Sequence, residues 1–248
     1  MKDVNAYIDY LVDWIKDVVV KANVKGVILG VSGGVDSAVV AGLIKKAFPN
    51  NSLGLILPIH SKESDASDAV AVCDKLGLSY KTVDLSDAFD VMKATFEKDI
   101  EISESYKMSL ANTKARLRMT TLYAYAQNYG YLVVGTDNAC EWFTGYFTKY
   151  GDGGVDLVPL VHLLKSEVYQ LAKALDLPES VITKAPSAGL IEGVNDEDEL
   201  KVTYQELEDY IQGKPVSEHV AQRCAYLHKI SAHKRDGATK PSKKASDF

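Results

Sequence analysis

The chain has 248 residues, 46% hydrophobic and 25% charged, which is enough for a sizeable core and too apolar for disorder. With 28 basic against 34 acidic side chains the formal charge is −6, which argues against a generic nucleic-acid binder. No apolar run nears the roughly 18 residues of a membrane span, and three scattered cysteines (Cys73, Cys140, Cys224) fit neither a disulfide framework nor a zinc site but suit a reducing cytoplasm.

Val4, Ile8, Leu11, Ile15, Val18 and Val19 recur at helical spacing and predict an amphipathic helix over about 3–22. Asp3, Asp9, Asp13 and Asp17 among them exclude a signal-peptide core. A β-rich run over 26–32, the pair Gly33-Gly34 and a helical stretch over 36–47 read as strand, tight turn and helix. The order repeats with a strand over 53–58, a helix near 64–76, a strand over 80–85, helices over 86–98 and 110–128, and a buried strand over 131–136. Short apolar strands alternating with helices predict a Rossmann-like parallel sheet covered by helices on both faces, in one domain spanning 1–248. Ligands of such sheets sit beyond the carboxyl ends of the strands. Residues 144–157, rich in glycine, aromatics and charge, read as an ordered functional loop. Helices resume over 165–174, 203–211 and 216–230, an acidic loop over 189–198 reads as mobile, and the polar tail after about 236 frays. The acidic run 192–209 and the basic run 223–244 read as solvated helix faces and a loose tail.

The segment Ser32-Gly33-Gly34-Val35-Asp36-Ser37 lies between a strand and a helix. Paired glycines let backbone N–H groups converge on an anion, and the following helix adds its positive end. Ser32 and Ser37 offer hydroxyl donors, and Asp36 a hard oxygen for magnesium. There is no Gly-Lys-Ser/Thr ending, so this is not a Walker-type phosphate loop.

The pattern resembles the pyrophosphate loop of the N-type ATP pyrophosphatases, which share an adenine nucleotide alpha hydrolase-like fold and cleave ATP between its α and β phosphates. Within that group the chain looks like an ammonia-dependent NAD synthetase. The resemblance rests on Gly135-Thr136-Asp137-Asn138-Ala139-Cys140-Glu141, Thr144 to Gly154, Lys114-Ala115-Arg116, Lys165, Ala185-Pro186-Ser187 and His233-Lys234-Arg235, which follow one another in the expected order along nearly the whole chain. It implies a reaction in which the carboxylate of deamido-NAD is adenylated by ATP and then amidated by ammonia, giving NAD, AMP and pyrophosphate.

The resemblance also implies the site. Gly30, Val31, Ser32, Gly33, Gly34, Val35, Asp36, Ser37, Thr136, Lys165 and Ser187 would hold ATP, with Asp36 and Lys165 catalytic. Asp36 and Glu141 would bind magnesium, and Arg116, Lys149, Asp156, His233 and Lys234 would contact deamido-NAD. A homodimer with the dinucleotide site at the subunit boundary is implied, in the cytoplasm, with neither nucleic acid nor membrane as partner. Glutamine-dependent relatives carry a nitrilase-like domain before this one; here the loop begins at Ser32, so free ammonia is the expected donor. Four positions depart from the common pattern: Asn138 where many relatives carry histidine, Cys140 where alanine is frequent, Ser187 in place of threonine, and Gly189 where aspartate is usual. Cys140 reads as a packing residue, the stretch 189–205 as a lid, and Asp152 and Asp156 as the carboxylates nearest to serving as a general base. A sulfur-installing tRNA enzyme and a non-catalytic nucleotide-binding module are the competing readings; the acidic charge weakens the first and the joint presence of Asp36, Glu141, Lys149 and Lys165 the second.

Overall fold

Asp3 caps the first helix by accepting a hydrogen bond from the Ala6 amide, and α1 (Val4–Lys21) follows with Ile8, Leu11, Val12, Ile15 and Val19 on its buried face. Then come β1 (Gly26–Gly30), α2 (Val35–Ala47), β2 (Ser52–Ile56), α3 (Glu63–Leu76), β3 (Tyr80–Thr82), α4 (Ser86–Phe96), α5 (Tyr106–Tyr129) and β4 (Tyr131–Val134). The rest of the chain is helical: α6 (Ala139–Thr144), α7 (Lys165–Ala174), α8 (Glu179–Ile182), α9 (Asp196–Leu200), α10 (Tyr204–Ile211), α11 (Glu218–Ile230) and α12 (Ala232–Arg235). The structure, a computed structural model, describes residues 1–184 and 196–242.

The four strands are parallel in the order β3-β2-β1-β4. Both faces are covered, as the sequence rhythm predicts. Val27 and Leu29 of β1 point into one cluster with α1, α2, α3 and α7, while Ile28 between them points into a second with α4 and α5. That alternation is the period-two geometry of a strand with no solvent face. A third cluster, built from Cys140, Leu164, Leu200, Val202, Tyr204, Leu207, Val220 and Cys224, holds the C-terminal helices against α6. Among the described residues no helix is long and apolar enough to cross a membrane.

Two expectations need correcting. The acidic run is solvated only in part: Glu197 and Asp198 are exposed, but Asp196 and Glu208 are buried, Asp196 accepting from the Tyr204 hydroxyl at 2.9 Å and Glu208 from Ser166 N and Oγ at 2.7 and 2.6 Å. Nor does the described part of the supposed lid behave as one. Residues 196–198, expected in a mobile loop, open α9, and Leu200, Val202 and Tyr204 are packed in the third cluster. An apolar anchor every second residue, with its acids spent on hydrogen bonds, ties this stretch down. Residues 185–195, including Ser187 and Gly189, lie outside the described residues, as do 243–248.

Three short helices were not legible beforehand. α6 is set by a capping box, in which the Asn138 side chain accepts from the Glu141 amide and Glu141 accepts from the Asn138 amide. α8 and α12 span four residues each, too short for a periodic signal.

Candidate active site

β1 and β4 lie side by side and deliver their following segments to the same edge of the sheet. The β1 segment is Val31 to Gly34. Ser32 Oγ lies 3.0 Å from Ser37 Oγ, the Gly34 amide donates to Ser32 Oγ at 3.3 Å, and Ser37 Oγ donates to the Gly34 carbonyl at 2.9 Å. The two serine hydroxyls, expected as donors to an anion, are thus engaged in holding the loop's shape. What remains for an anion is the start of α2, where the N-cap Gly34 has no side chain to satisfy the first-turn amides. Such an end attracts phosphate through its N–H groups and its dipole.

Beside it Lys165, the first residue of α7, donates to Asp36 Oδ2 at 2.5 Å. The side chains are 6% and 15% exposed, so this is a buried ion pair. Burial alone would drive the Lys165 ammonium toward neutrality; Asp36 and Glu141 more than offset that and raise its pKa. The other oxygen of Asp36 accepts from Asn138 Nδ2 at 2.9 Å, and Asn138 N donates to Glu141 Oε2 at 3.0 Å. Asp36, Glu141, Lys165 and the start of α2 therefore meet in one place, although they come from three separate stretches of chain. Thr136 sits just past β4 on the same edge, half-buried.

Burial first, and the Asp36 charge second, push the Glu141 carboxyl up to about 8. Between its ordinary value of 4.5 and about 8, the folded chain keeps a proton that the unfolded chain has released, so stability falls as pH rises through that window. Glu141→Gln, neutral throughout, is expected to flatten this fall, as denaturant melts at pH 5 and pH 8 will show. An unchanged slope would place the titration elsewhere. Asp137 adds a further buried carboxyl: it is 4% exposed, its Oδ2 has no hydrogen-bond partner, and burial raises its pKa well above the usual range.

A second pocket of about 340 Å³ lies alongside, lined by Asn112, Arg116, Thr148, Lys149, Tyr150, His233 and Lys234. Four of the five residues expected to contact the dinucleotide are here. Arg116 Nε donates to the Lys149 carbonyl at 3.2 Å, Lys149 Nζ to the His233 carbonyl at 2.5 Å, and Lys234 Nζ to the carbonyls of Gly145 and Phe147, each at 2.7 Å. Burial lowers the Lys234 pKa. These contacts lock loop, α5 and α12 together, so the cationic wall is preassembled. Asp156 is not part of it. Its carboxylate accepts from the Tyr123 hydroxyl at 3.0 Å and the Val133 amide at 2.8 Å, which ties the loop to β4 and α5. Asn112 lines the pocket without any sequence signal, brought there by the fold alone, while Thr148 and Tyr150 come from the loop over 144–157 that the sequence marked as functional. Cys140 is buried, and burial pushes its thiol up to about 12, which fits a packing residue rather than a nucleophile.

Arg116→Ala is expected to raise KM for the dinucleotide about tenfold, the loss of one charge-assisted contact, and to leave KM for ATP within about twofold. Steady-state kinetics varying each substrate in turn will check it, and the opposite split would move Arg116 to the ATP site.

An open helix start facing a buried lysine–carboxylate pair, at the carboxyl edge of a doubly covered parallel sheet, defines a nucleotide-dependent α/β enzyme. A family model described as NAD synthase matches residues 7–238. The chain is 50% identical over 241 residues to an NH3-dependent NAD(+) synthetase of Mesoplasma florum, covering 96% of this chain and 97% of the relative. Among solved structures it is similar to an NMN synthetase from Francisella tularensis (TM-score 0.92, 42% identity, 97% of this chain and 99% of that one). It is also similar to an NH3-dependent NAD synthetase from Campylobacter jejuni (TM-score 0.78, 31% identity, 97% and 100% covered). The chain belongs to the NAD synthase family.

Proposed function

We propose that the chain catalyses the ATP-dependent amidation of deamido-NAD with ammonia, giving NAD, AMP and pyrophosphate. It is a ligase that forms a carbon–nitrogen bond. Family membership and the relatives' names support this reading, and the observation that carries it structurally is the Asp36–Lys165 pair at the open start of α2, next to a preassembled cationic pocket.

A free carboxylate is a poor acyl donor, so it must first be activated. A carboxylate oxygen of the nicotinate attacks the α-phosphorus of ATP, and the bond to the bridging oxygen of pyrophosphate breaks. Nitrogen of ammonia then attacks the carboxyl carbon of the adenylate, AMP departs with the bond's electron pair, and the surplus proton leaves. Lys165 and the amides at the start of α2 are placed to stabilise the negative charge that develops on pyrophosphate. Arg116, Lys149, His233 and Lys234 orient the dinucleotide, and much of the acceleration comes from aligning two anionic substrates away from water. Asp36 and Glu141 are hard oxygen donors held close to one another, which suits magnesium carried in with ATP. When bound, that ion neutralises phosphate charge. Thr136 and Ser187 complete the proposed ATP site, and Asp156 steadies the dinucleotide loop rather than lining the pocket. A homodimer in the cytoplasm completes the reading; three buried free cysteines are consistent with a reducing compartment.

The test is purified protein with ATP, magnesium and ammonium, with and without deamido-NAD. NAD, AMP and pyrophosphate should appear together and only when deamido-NAD is present; ADP and phosphate instead would end the proposal. One observation favours a second reading, that the pyridine carboxylate sits on a mononucleotide: the similar Francisella tularensis structure is called an NMN synthetase. The same assay with nicotinate mononucleotide decides between them by the ratio of kcat/KM values.

A further inference from the structure

Asn138 is fully buried, and besides the ordinary helical bond from the Trp142 amide to its carbonyl it makes four hydrogen bonds, one of which its place at the head of a six-residue helix does not require. Its Oδ1 accepts from the amides of Cys140 at 2.9 Å and Glu141 at 3.1 Å, and these build the cap. A serine, threonine or aspartate would supply that acceptor equally well. Its two donor contacts differ: the backbone one completes the capping box and survives with any N-cap residue, while the side-chain one reaches beyond the helix. The backbone N–H donates to Glu141 Oε2 at 3.0 Å, and the side-chain Nδ2 reaches a loop 102 residues earlier to donate to Asp36 Oδ1 at 2.9 Å. Of the residues that cap helices well, asparagine alone carries amide donors and an acceptor on one rigid plane. Histidine also presents a ring N–H.

Left to their side-chain torsions alone, Asp36 and Glu141 would not keep one fixed mutual placement. Asp36 is held on its other oxygen by Lys165, but that lysine also faces the incoming phosphates. Asn138 is neutral and buried, so it can hold Asp36 without itself carrying a charge toward the phosphates. Each carboxylate oxygen in this network keeps a second lone pair for a cation.

We infer that Asn138 is a positioning residue whose side-chain amide, apart from its capping role, fixes the mutual placement of Asp36 and Glu141 for the divalent cation that accompanies ATP. The inference rests on the assignment of those two carboxylates to magnesium.

Asn138→Ser separates the two roles, since the shorter hydroxyl can cap α6 but cannot span to Asp36. Mn2+ binding, followed by electron paramagnetic resonance in the presence of α,β-methylene ATP, is the direct readout. Affinity should fall about tenfold, the lower end of what losing an outer partner of a metal ligand costs. KM for deamido-NAD should stay within about twofold and Tm within a few degrees. Asn138→His, which restores an N–H donor, should recover most of the affinity. Unchanged Mn2+ affinity in Asn138→Ser overturns the inference, as does a loss that spreads equally to Tm and both KM values or that histidine fails to repair. Asp36→Asn and Glu141→Gln serve as the reference. If they too leave Mn2+ binding intact, the magnesium assignment is what has failed; if they abolish it while Asn138→Ser does not, only the role of Asn138 is lost.

Discussion

Lys165→Met is expected to reduce kcat for NAD formation by about 10²–10³-fold, the range found when a preorganised charge-stabilising donor is removed. The methionine keeps an unbranched apolar stem in a site where the lysine is 5% exposed, and gives up the ammonium that lies 5.4 Å from the Tyr204 ring centre. What disappears is, among the described residues, the one cation that contacts Asp36 directly, at the mouth of the open α2 helix. The change also leaves Asp36 buried with only the Asn138 amide, and breaking a buried pair from one side costs about 3–5 kcal/mol when nothing else compensates. Kinetics must therefore be read alongside a thermal melt, at a temperature where the variant is folded. A folded Lys165→Met enzyme that kept kcat within about twofold would reduce Lys165 to a structural counter-ion.

The second large effect is expected at Gly33. Its φ of +81° lies in the region that side chains avoid, and a Cβ built there would sit 2.6 Å from the Asp65 carbonyl oxygen and 3.0 Å from the Asp68 Cβ. The first turn of α3 therefore rests directly on the loop backbone, and it is clamped from the other side by Lys184, whose ammonium lies 2.8 Å from both Asp65 and Asp68. Gly33→Ala must either pull the loop off its conformation, at about 1–3 kcal/mol for the strained backbone, or push α3 away against that clamp. Either response moves the amides that face the phosphates. We expect kcat/KM for ATP to fall by at least about 100-fold, the price of misplacing reacting groups by about 1 Å, while Tm drops by several degrees. Near-normal turnover in Gly33→Ala would mean that this loop does not cradle the triphosphate.

Both variants rest on features that were visible to different degrees in the chain itself. Gly33 and Asp36 stood out because a strand, two glycines, an acid and a helix follow one another without interruption, and consecutive residues cannot help being neighbours. The same locality made α1 and the strands β1, β2 and β4 readable, since apolar residues repeat at the helical period in α1 and crowd both faces of those strands; β3, exposed at all three positions on the sheet edge, followed only from the strand–helix rhythm. Resemblance extended this to Glu141, Lys149, Lys165 and the His233-Lys234 pair, and the described structure gathers them around one sheet edge and one pocket.

Other features depended on distance in sequence. A run of acids looks the same whether it is solvated or hydrogen-bonded, so nothing local foretold that Glu208 would turn inward to Ser166 or Asp196 to Tyr204. Asp156 carries the right charge for a ligand contact, yet its oxygens accept from α5 and β4 and it lies off the lining of the pocket. Asn138 looked like a mere departure from a common pattern. Only the pairing of β1 with β4 sets its amide beside Asp36, because a hydrogen bond depends on where two groups lie in space and not on the chain between them. The sequence by itself thus determined the doubly covered sheet, the glycine-rich turn between β1 and α2, and the family. Which charges are buried, which are paired, and which residue holds the two acids together was decided by tertiary packing, where desolvation makes every polar group find a partner among whatever neighbours the fold supplies.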